Sequence, residues 1–397
     1  MNAFEILDGI YYAGVNDRVT SLFEGLWPLP YGVSYNAYVV KGDKTALMDS
    51  VNISMVNHLL TLLGTERIDY LVVHHMEPDH SGAIPELCHK FPEMKIVCNA
   101  KAAQMIRGFY GVDCPDRFIT VKEGDTLDLG GGKLLRFYMT PMVHWPETMM
   151  TWMEDQRLLF SGDAFGSFGA VDGNPLDTIS TDWSIRKMEM RRYYAAIVAK
   201  YSRPVQAALA KLKGLPVEYI ASTHGPVWHE RASQVVKIYD EMSSGKTRQG
   251  VVIAYGSMYG NTSAVAEIAA RRLEERGIRE IRVYDAGRAD LSRILADIWK
   301  YKGLLIASPT YSMNIFPPVE ALVKALEVRE LKDRVTGVFG SYAWASAAAR
   351  LLTERLTAMG LPPVSTVSMQ LAMNDETAAE VKNLADMMAD KILSSEA

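Results

Sequence analysis

The sequence predicts an α/β protein of two domains: a strand-rich first half over residues 1–247 and a doubly wound parallel sheet over residues 248–397. Three observations carry this. At 397 residues the chain exceeds one ordinary domain. Up to the polar stretch Ser243-Ser244-Gly245-Lys246-Thr247-Arg248-Gln249-Gly250, which reads as a linker, apolar runs of strand length come in hairpin pairs separated by helices. Beyond it the rhythm becomes a strict alternation of five strands and five helices, which builds a parallel sheet.

Taken in order, Gly9–Gly14 alternates weakly as a strand. Glu24–Gly32 is a loop punctuated by Pro and Gly. Ser34–Val40, a turn at Lys41-Gly42-Asp43-Lys44 and Thr45–Asp49 form a hairpin. A helix over Met55–Leu63 leads to the strand Tyr70–Val73, and helices over Ala83–Lys90 and Ala100–Tyr110 bracket the strand Lys95–Cys98. Phe118–Val121, Leu134–Tyr138, Thr148–Met153 and Leu158–Phe160 return to strands. Arg186–Ala210 reads as a helix broken at Pro204, Val217–Ala221 as a strand and Ala232–Met242 as a helix. The second half places strands at Val251–Tyr255, Ile281–Asp285, Gly303–Ser308, Thr336–Gly340 and Val364–Met369.

Composition narrows the function. Hydrophobic content of 48% and charged content of 22% are those of a soluble globular protein, and a net charge of −5 gives no reason to expect nucleic acid or an anionic membrane as partner. No stretch reaches the ~18 apolar residues of a membrane span. The start, Met1–Asp8, lacks a charged opening and an apolar core, so the expected location is the cytoplasm. Cys88, Cys98 and Cys114 are scattered, which argues against a disulfide framework and a cysteine-ligated metal; each is expected to be a small buried apolar residue.

The chemistry centres on His74-His75-Met76-Glu77-Pro78-Asp79-His80. A strand ending in His-x-Glu would set His75 and Glu77 on one side, and the turn beyond would bring Asp79 and His80 to the same place. A single histidine near a strand end is ordinarily a surface or satisfied residue; two imidazoles and two carboxylates in this order can serve two metal ions. His144, Asp163 and His224 each follow a later apolar strand in a loop holding Gly or Pro. His58, His74, His89 and His229 are read as structural or surface residues. The series His75, Glu77, Asp79, His80, His144, Asp163, His224 resembles the metallo-β-lactamase superfamily, which implies an αββα sandwich with a binuclear site over roughly residues 1–245. Glu77 stands where hydrolases of that superfamily usually carry His. The extra carboxylate makes the site harder and more anionic, which favours iron or manganese over zinc. Supply is balanced: His75, Glu77 and His144 for one ion, Asp79, His80 and His224 for the other, and Asp163 between them.

In the second half, Val251–Tyr255 runs into Gly256-Ser257-Met258-Tyr259-Gly260-Asn261-Thr262 and then a helix. Backbone N–H groups of such a loop and helix start bind phosphate. It is neither the nucleoside-triphosphate loop nor the dinucleotide fingerprint. It resembles the flavodoxin phosphate loop, and Pro309-Thr310-Tyr311-Ser312-Met313-Asn314 and Ser341-Tyr342-Ala343-Trp344 follow the third and fourth strands, where flavodoxins enclose the isoalloxazine of FMN.

The order of the two halves resembles the flavodiiron proteins end to end. The resemblance implies a non-haem di-iron centre of two iron ions on the seven ligands, FMN in the three loops, and reduction of oxygen to water, nitric oxide to nitrous oxide, or both. It further implies a head-to-tail homodimer, or a dimer of dimers, in which the FMN of one chain faces the irons of the other. No Cys pairs follow the flavodoxin-like half, so the expectation is the minimal two-domain form with a separate electron donor such as rubredoxin. Some members carry a His in the early loop; here the segment is Glu24-Gly25-Leu26-Trp27, which leaves the choice of gas open. The rivals are a binuclear metal hydrolase with an appended flavodoxin-like module, opposed by Glu77 and the flavin loops, and a pure electron-transfer flavoprotein, opposed by the complete ligand set.

Overall fold

The computed structural model describes residues 1–177 and 182–395. The chain divides into two compact units, Met1–Ser243 and Ser244–Ala397.

The first unit holds two large sheets. One runs Phe4–Leu7, Ile10–Tyr12, Tyr38–Lys41, Thr45–Met48, Tyr70–Val72, Lys95–Cys98, Phe118–Thr120 in spatial order; the other runs Thr126–Asp128, Leu134–Met139, Met149–Met153, Leu158–Gly162, Tyr219–Ser222. Apolar side chains of both sheets meet in one core, among them Val40, Met48 and Val72 from the first and Phe137, Met149 and Phe160 from the second. Met149–Met153 and Leu158–Gly162 are buried at every position, so they are apolar on both faces apart from Thr151 and Ser161 instead of alternating. Helices Val56–Leu63 and Ala100–Tyr110 make the crossovers that parallel pairing requires. The second of these starts where Asn99 Oδ1 accepts from Ala102 N at 3.0 Å and stops at Gly111 with φ of 65°.

In the second unit five parallel strands lie in the order Ile281–Asp285, Arg248–Tyr255, Tyr301–Tyr311, Val335–Tyr342, Thr366–Gln370, which is second, first, third, fourth, fifth along the chain. The order reverses between the first and third strands, and a ligand belongs at the carboxyl ends there. Val265, Ala269 and Leu273 of helix Asn261–Glu275 share a core with Val381, Leu384 and Met388 of helix Asp375–Ser394.

Several expectations are corrected. The linker reduces to Gly245–Thr247, because helix Ala232–Ser244 runs into it and strand Arg248–Tyr255 starts before its end. The break expected at Pro204 falls earlier: helix Trp183–Tyr193 loosens into a π-turn at Tyr194–Val198 and a 3-10 turn at Ala199–Tyr201. Pro204 sits in the first turn of the next helix, Ser202–Leu212, where its missing N–H costs nothing. Phe4–Leu7 is a strand the sequence did not suggest. Cys88 and Cys98 are buried, whereas Cys114 is exposed, just before a short 3-10 turn. No described helix is long and apolar enough to cross a membrane.

Candidate metal centre and flavin site

The strand expected to carry the heptapeptide ends at Val72. His75 and Glu77 lie beyond it in a loop, and Asp79 and His80 occupy the single helical turn Pro78–Ser81. Proline fits the first position of that turn, and Glu77 precedes it in extended conformation. The clustering is therefore made by a loop and a turn, with no strand periodicity. Ser50 N and Oγ both donate to the His80 carbonyl, at 3.0 and 2.9 Å, and Ser81 Oγ donates to the Met76 carbonyl at 2.9 Å, which pins the segment.

All seven ligand-type side chains converge. His144 Nε2 lies 3.1 Å from Glu77 Oε2 and 3.1 Å from Asp163 Oδ2, and His75 Nε2 lies 3.5 and 3.7 Å from the same two oxygens. On the other side His80 Nε2 lies 3.1 Å from Asp163 Oδ1 and 3.6 Å from Asp79 Oδ1, while His224 Nε2 lies 3.1 Å from Asp79 Oδ2. Asp163 thus turns one oxygen to each triad. Among the described residues, Asp79 Oδ1 and Oδ2, His80 Nε2 and His224 Nε2 are all buried without a hydrogen-bond partner despite these short approaches. Atoms that crowd together without bonding one another are aimed at common points between them. Burial opposes charge on His144, yet its hydrogen bonds to Asp163 and Glu77 outweigh that and hold its pKa up at about 10. Carboxylates that pull protons onto buried imidazoles will equally hold cations, and the donor set fits two hard metal ions.

Outer partners set the rings. Glu147 Oε1 lies 2.6 Å from His75 Nδ1; a carboxylate only accepts, so Nδ1 carries the proton and Nε2 offers its lone pair inward. The same oxygen accepts from Met76 N at 2.9 Å. His224 Nδ1 donates to the Ser34 carbonyl at 2.8 Å. Phe23 and Tyr193 pack against the His224 ring at 5.4 and 5.5 Å, and the Tyr193 hydroxyl is buried without a partner. Glu24 is exposed as a residue, yet desolvation of its carboxyl, and next the neighbouring Glu77, push that group up to about 7, while Trp27 Nε1 donates to its Oε2 at 3.1 Å. Nothing in the sequence alone points to Glu147, to Tyr193 or to the part played by Glu24.

His74 turns the other way. Its Nδ1 lies 2.6 Å from Asp49 Oδ2 and its Nε2 2.7 Å from Thr151 Oγ1, both buried. His58, His89 and His229 are exposed, and His229 stacks on Tyr219 at 4.0 Å.

The second unit holds a cavity of about 750 Å³ at the carboxyl ends of its strands, lined by fourteen of the sixteen residues expected at the flavin and by Ala345, Leu371 and Ala372. Gly260 and Asn314 are the two that do not line it. Gly260, with φ of 94°, precedes the helix Asn261–Glu275, whose first N–H groups have no capping side chain; that is an open phosphate seat. Pro309–Asn314 is not a loop. Tyr301–Tyr311 continues as a strand and pairs back with Asn314–Ile315 across Ser312 and Met313, whose φ values are 49° and 59°. Asn314 spends its side chain on Ile315 N at 2.8 Å. Thr310 Oγ1 accepts from Ala347 N and Ala348 N, at 3.1 and 3.2 Å, and so caps the start of helix Ala348–Ala358. Tyr259, Met313, Trp344 and Leu371 stand exposed on the rim, Trp344 at 89%. An apolar rim above a phosphate seat suits a flat amphipathic ring with a phosphate tail.

Comparison with known proteins meets this geometry at both sites. Residues 33–225 match the family described as ODP family beta lactamase, and residues 253–385 match flavodoxin. The anaerobic nitric oxide reductase flavorubredoxin of Escherichia coli is 32% identical over 364 residues, 89% of this chain and 75% of that protein. The chain belongs to the flavodiiron protein family. An uncharacterized protein of Methanocaldococcus jannaschii is also 32% identical, over 90% of each chain. The solved rubredoxin oxygen:oxidoreductase of Desulfovibrio gigas is 28% identical and superimposes with a TM-score of 0.94, covering 99% of this chain and 100% of that one. The flavodiiron protein of Giardia intestinalis shares the fold at a TM-score of 0.94 and 23% identity, covering 99% of this chain and 97% of that one. This flavodiiron protein is an oxidoreductase, and its flavodoxin domain implies FMN.

Proposed function

We propose that this flavodiiron protein reduces oxygen to water, nitric oxide to nitrous oxide, or both, at a non-haem di-iron centre, with FMN relaying electrons from an external donor of the rubredoxin type. The observation that carries the reading is Asp163, whose two oxygens face two separate His/carboxylate groups. His75, Glu77 and His144 would hold one iron, Asp79, His80 and His224 the other, and Asp163 would bridge them. FMN would seat its phosphate at Ser257–Thr262 and its ring between Tyr311, Tyr342 and Trp344.

When bound, iron supplies a cation that changes oxidation state by single electrons, and FMN supplies a carrier that takes electrons in pairs and passes them singly. The chain supplies the rest. Buried Glu77 and Asp163 and half-buried Asp79, set against four imidazoles that would be neutral once a cation is held, make a hard, electron-rich donor set. Phe23, Phe168 and Tyr35 wall the His224 side and keep water out. Glu24, with its Oε2 held by Trp27 and its carboxyl pushed up to about 7, can take up or give a proton near neutrality, and the Tyr193 hydroxyl is a second proton-bearing group beside the His224 ring. The exposed apolar rim of the flavin cavity supports a head-to-tail homodimer, in which a second copy covers it. The expected setting is the cytoplasm.

Metal and flavin stoichiometry on anaerobically purified protein tests this. About two irons and one FMN per chain, with donor-dependent gas uptake at an electrode, is the expected result. Two zincs, little flavin and turnover of a thioester or phosphodiester would overturn it in favour of a binuclear hydrolase.

A further inference from the structure

The two metal-facing triads have different backing. His75 is held from behind by a carboxylate, at 2.6 Å from Glu147 Oε1. That carboxylate is itself fixed: it accepts from Met76 N at 2.9 Å, it is fully buried, and Asn99 Nδ2 donates to the Glu147 carbonyl. Among the described residues the other triad has no such backing. His224 Nδ1 meets only the neutral Ser34 carbonyl at 2.8 Å, and His80 Nδ1 has no hydrogen-bond partner. A carboxylate behind an imidazole fixes its rotamer and makes its inward nitrogen a stronger donor; a carbonyl does so more weakly. Glu77, Asp163 and Glu147 also put three carboxylates around the His75 position, against Asp79 and Asp163 around the other.

We infer that Glu147 makes the two metal positions inequivalent: the His75–Glu77–His144 position retains its ion, and the Asp79–His80–His224 position is the one that exchanges. Glu147 is a positioning residue, acting on the metal through His75. The inference rests on the two-metal reading proposed above.

The test is iron release from the anaerobically purified, FMN-loaded protein into excess ferrous chelator, with flavin absorbance followed in the same cuvette. Wild type releases its iron in two phases of equal amplitude. Asp79→Asn leaves only the slow phase and His144→Ala only the fast one, which assigns each phase to its position. Glu147→Gln, which keeps the shape and one acceptor oxygen but loses the charge, speeds the slow phase by about 10- to 100-fold and leaves the fast phase and the flavin unchanged. A general loosening of the fold would speed both phases and release flavin. A single phase in wild type, or a Glu147→Gln change that falls on the fast phase or on neither, overturns the inference. If Glu147→Gln does not accumulate, Glu147→Asp and the wild-type phases still decide it. Fewer than two ions per chain before chelator is added overturns the two-metal reading itself, a failure seen at a different step.

Discussion

Replacing His74 with alanine should unfold the first unit far more easily than its position beside a metal ligand suggests. His74 follows the end of strand Tyr70–Val72 in one sheet, and Thr151 belongs to the facing sheet, so Asp49–His74–Thr151 is a polar tie through the sandwich. His74 also fixes the chain on which His75 sits, since His74 N donates to Asp49 Oδ1 and Met149 N to the His74 carbonyl. In the alanine variant Asp49 Oδ2 stays buried without its 2.6 Å partner and Thr151 Oγ1 without its 2.7 Å partner. Stranding a buried carboxylate costs about 1–3 kcal/mol and a hydroxyl about 1 kcal/mol more, before the cavity is counted; removing one member of a buried pair costs about 3–5 kcal/mol in all. We expect a loss of about 4 kcal/mol. The assay is urea unfolding of chelator-treated protein by tryptophan fluorescence, so that metal binding does not enter the comparison. Exposed His58 and His89 replaced by alanine should stay within about 0.5 kcal/mol of wild type. A loss below about 1 kcal/mol for His74→Ala would refute the tie.

Further expectations concern the two sites separately. Asp163→Asn should lower iron to less than about one per chain while FMN stays bound, measured by elemental analysis and flavin absorbance. Chelating the metal should lower the calorimetric transition of the first unit and leave that of the second in place, because an ion that binds only the folded state stabilises by mass action. Gly260→Ala meets no atom within 4 Å, so its effect is the strain of φ at 94°, about 1–2 kcal/mol; flavin titration should show roughly a tenfold weaker FMN. Trp344→Ala should leave the melting temperature unchanged, because the side chain is 89% exposed, yet weaken FMN by up to about tenfold through lost stacking.

The second unit is legible almost element by element, because each strand is a short apolar run between amphipathic helices and nothing in the chain competes with that rhythm. The misreadings lie where local signals coincide with a different geometry. Ser308–Asn314 is rich in turn residues, yet it is a strand that folds back on itself, because Ser312 and Met313 adopt positive φ and Thr310 is spent on starting a helix. Pro204 has the signature of a helix breaker, but the helix yields before it, at Tyr194–Tyr201. There Tyr194 packs on Tyr239 at 5.1 Å, a tertiary contact that no window of sequence contains.

At the metal centre the sequence exposes the residues whose chemistry is demanded by type, and it hides those whose role depends on what they face. His75, Glu77, Asp79 and His80 stand out because two imidazoles and two carboxylates within six residues rarely fall together unless they hold a cation. Glu147 has no such neighbours: it follows Trp145-Pro146 in a loop and looks like one acidic surface residue among many. Only the fold shows it fully buried against His75. The heptapeptide's ligands do come together, but a loop and one turn do what a strand's alternation would have done. That difference has a physical consequence. A strand would hold His75 by its ladder of backbone bonds, whereas a loop leaves the imidazole to be fixed from behind, by Glu147 for His75 and by the Ser34 carbonyl for His224. The ions' surroundings are therefore set as much by these outer partners as by the ligands themselves.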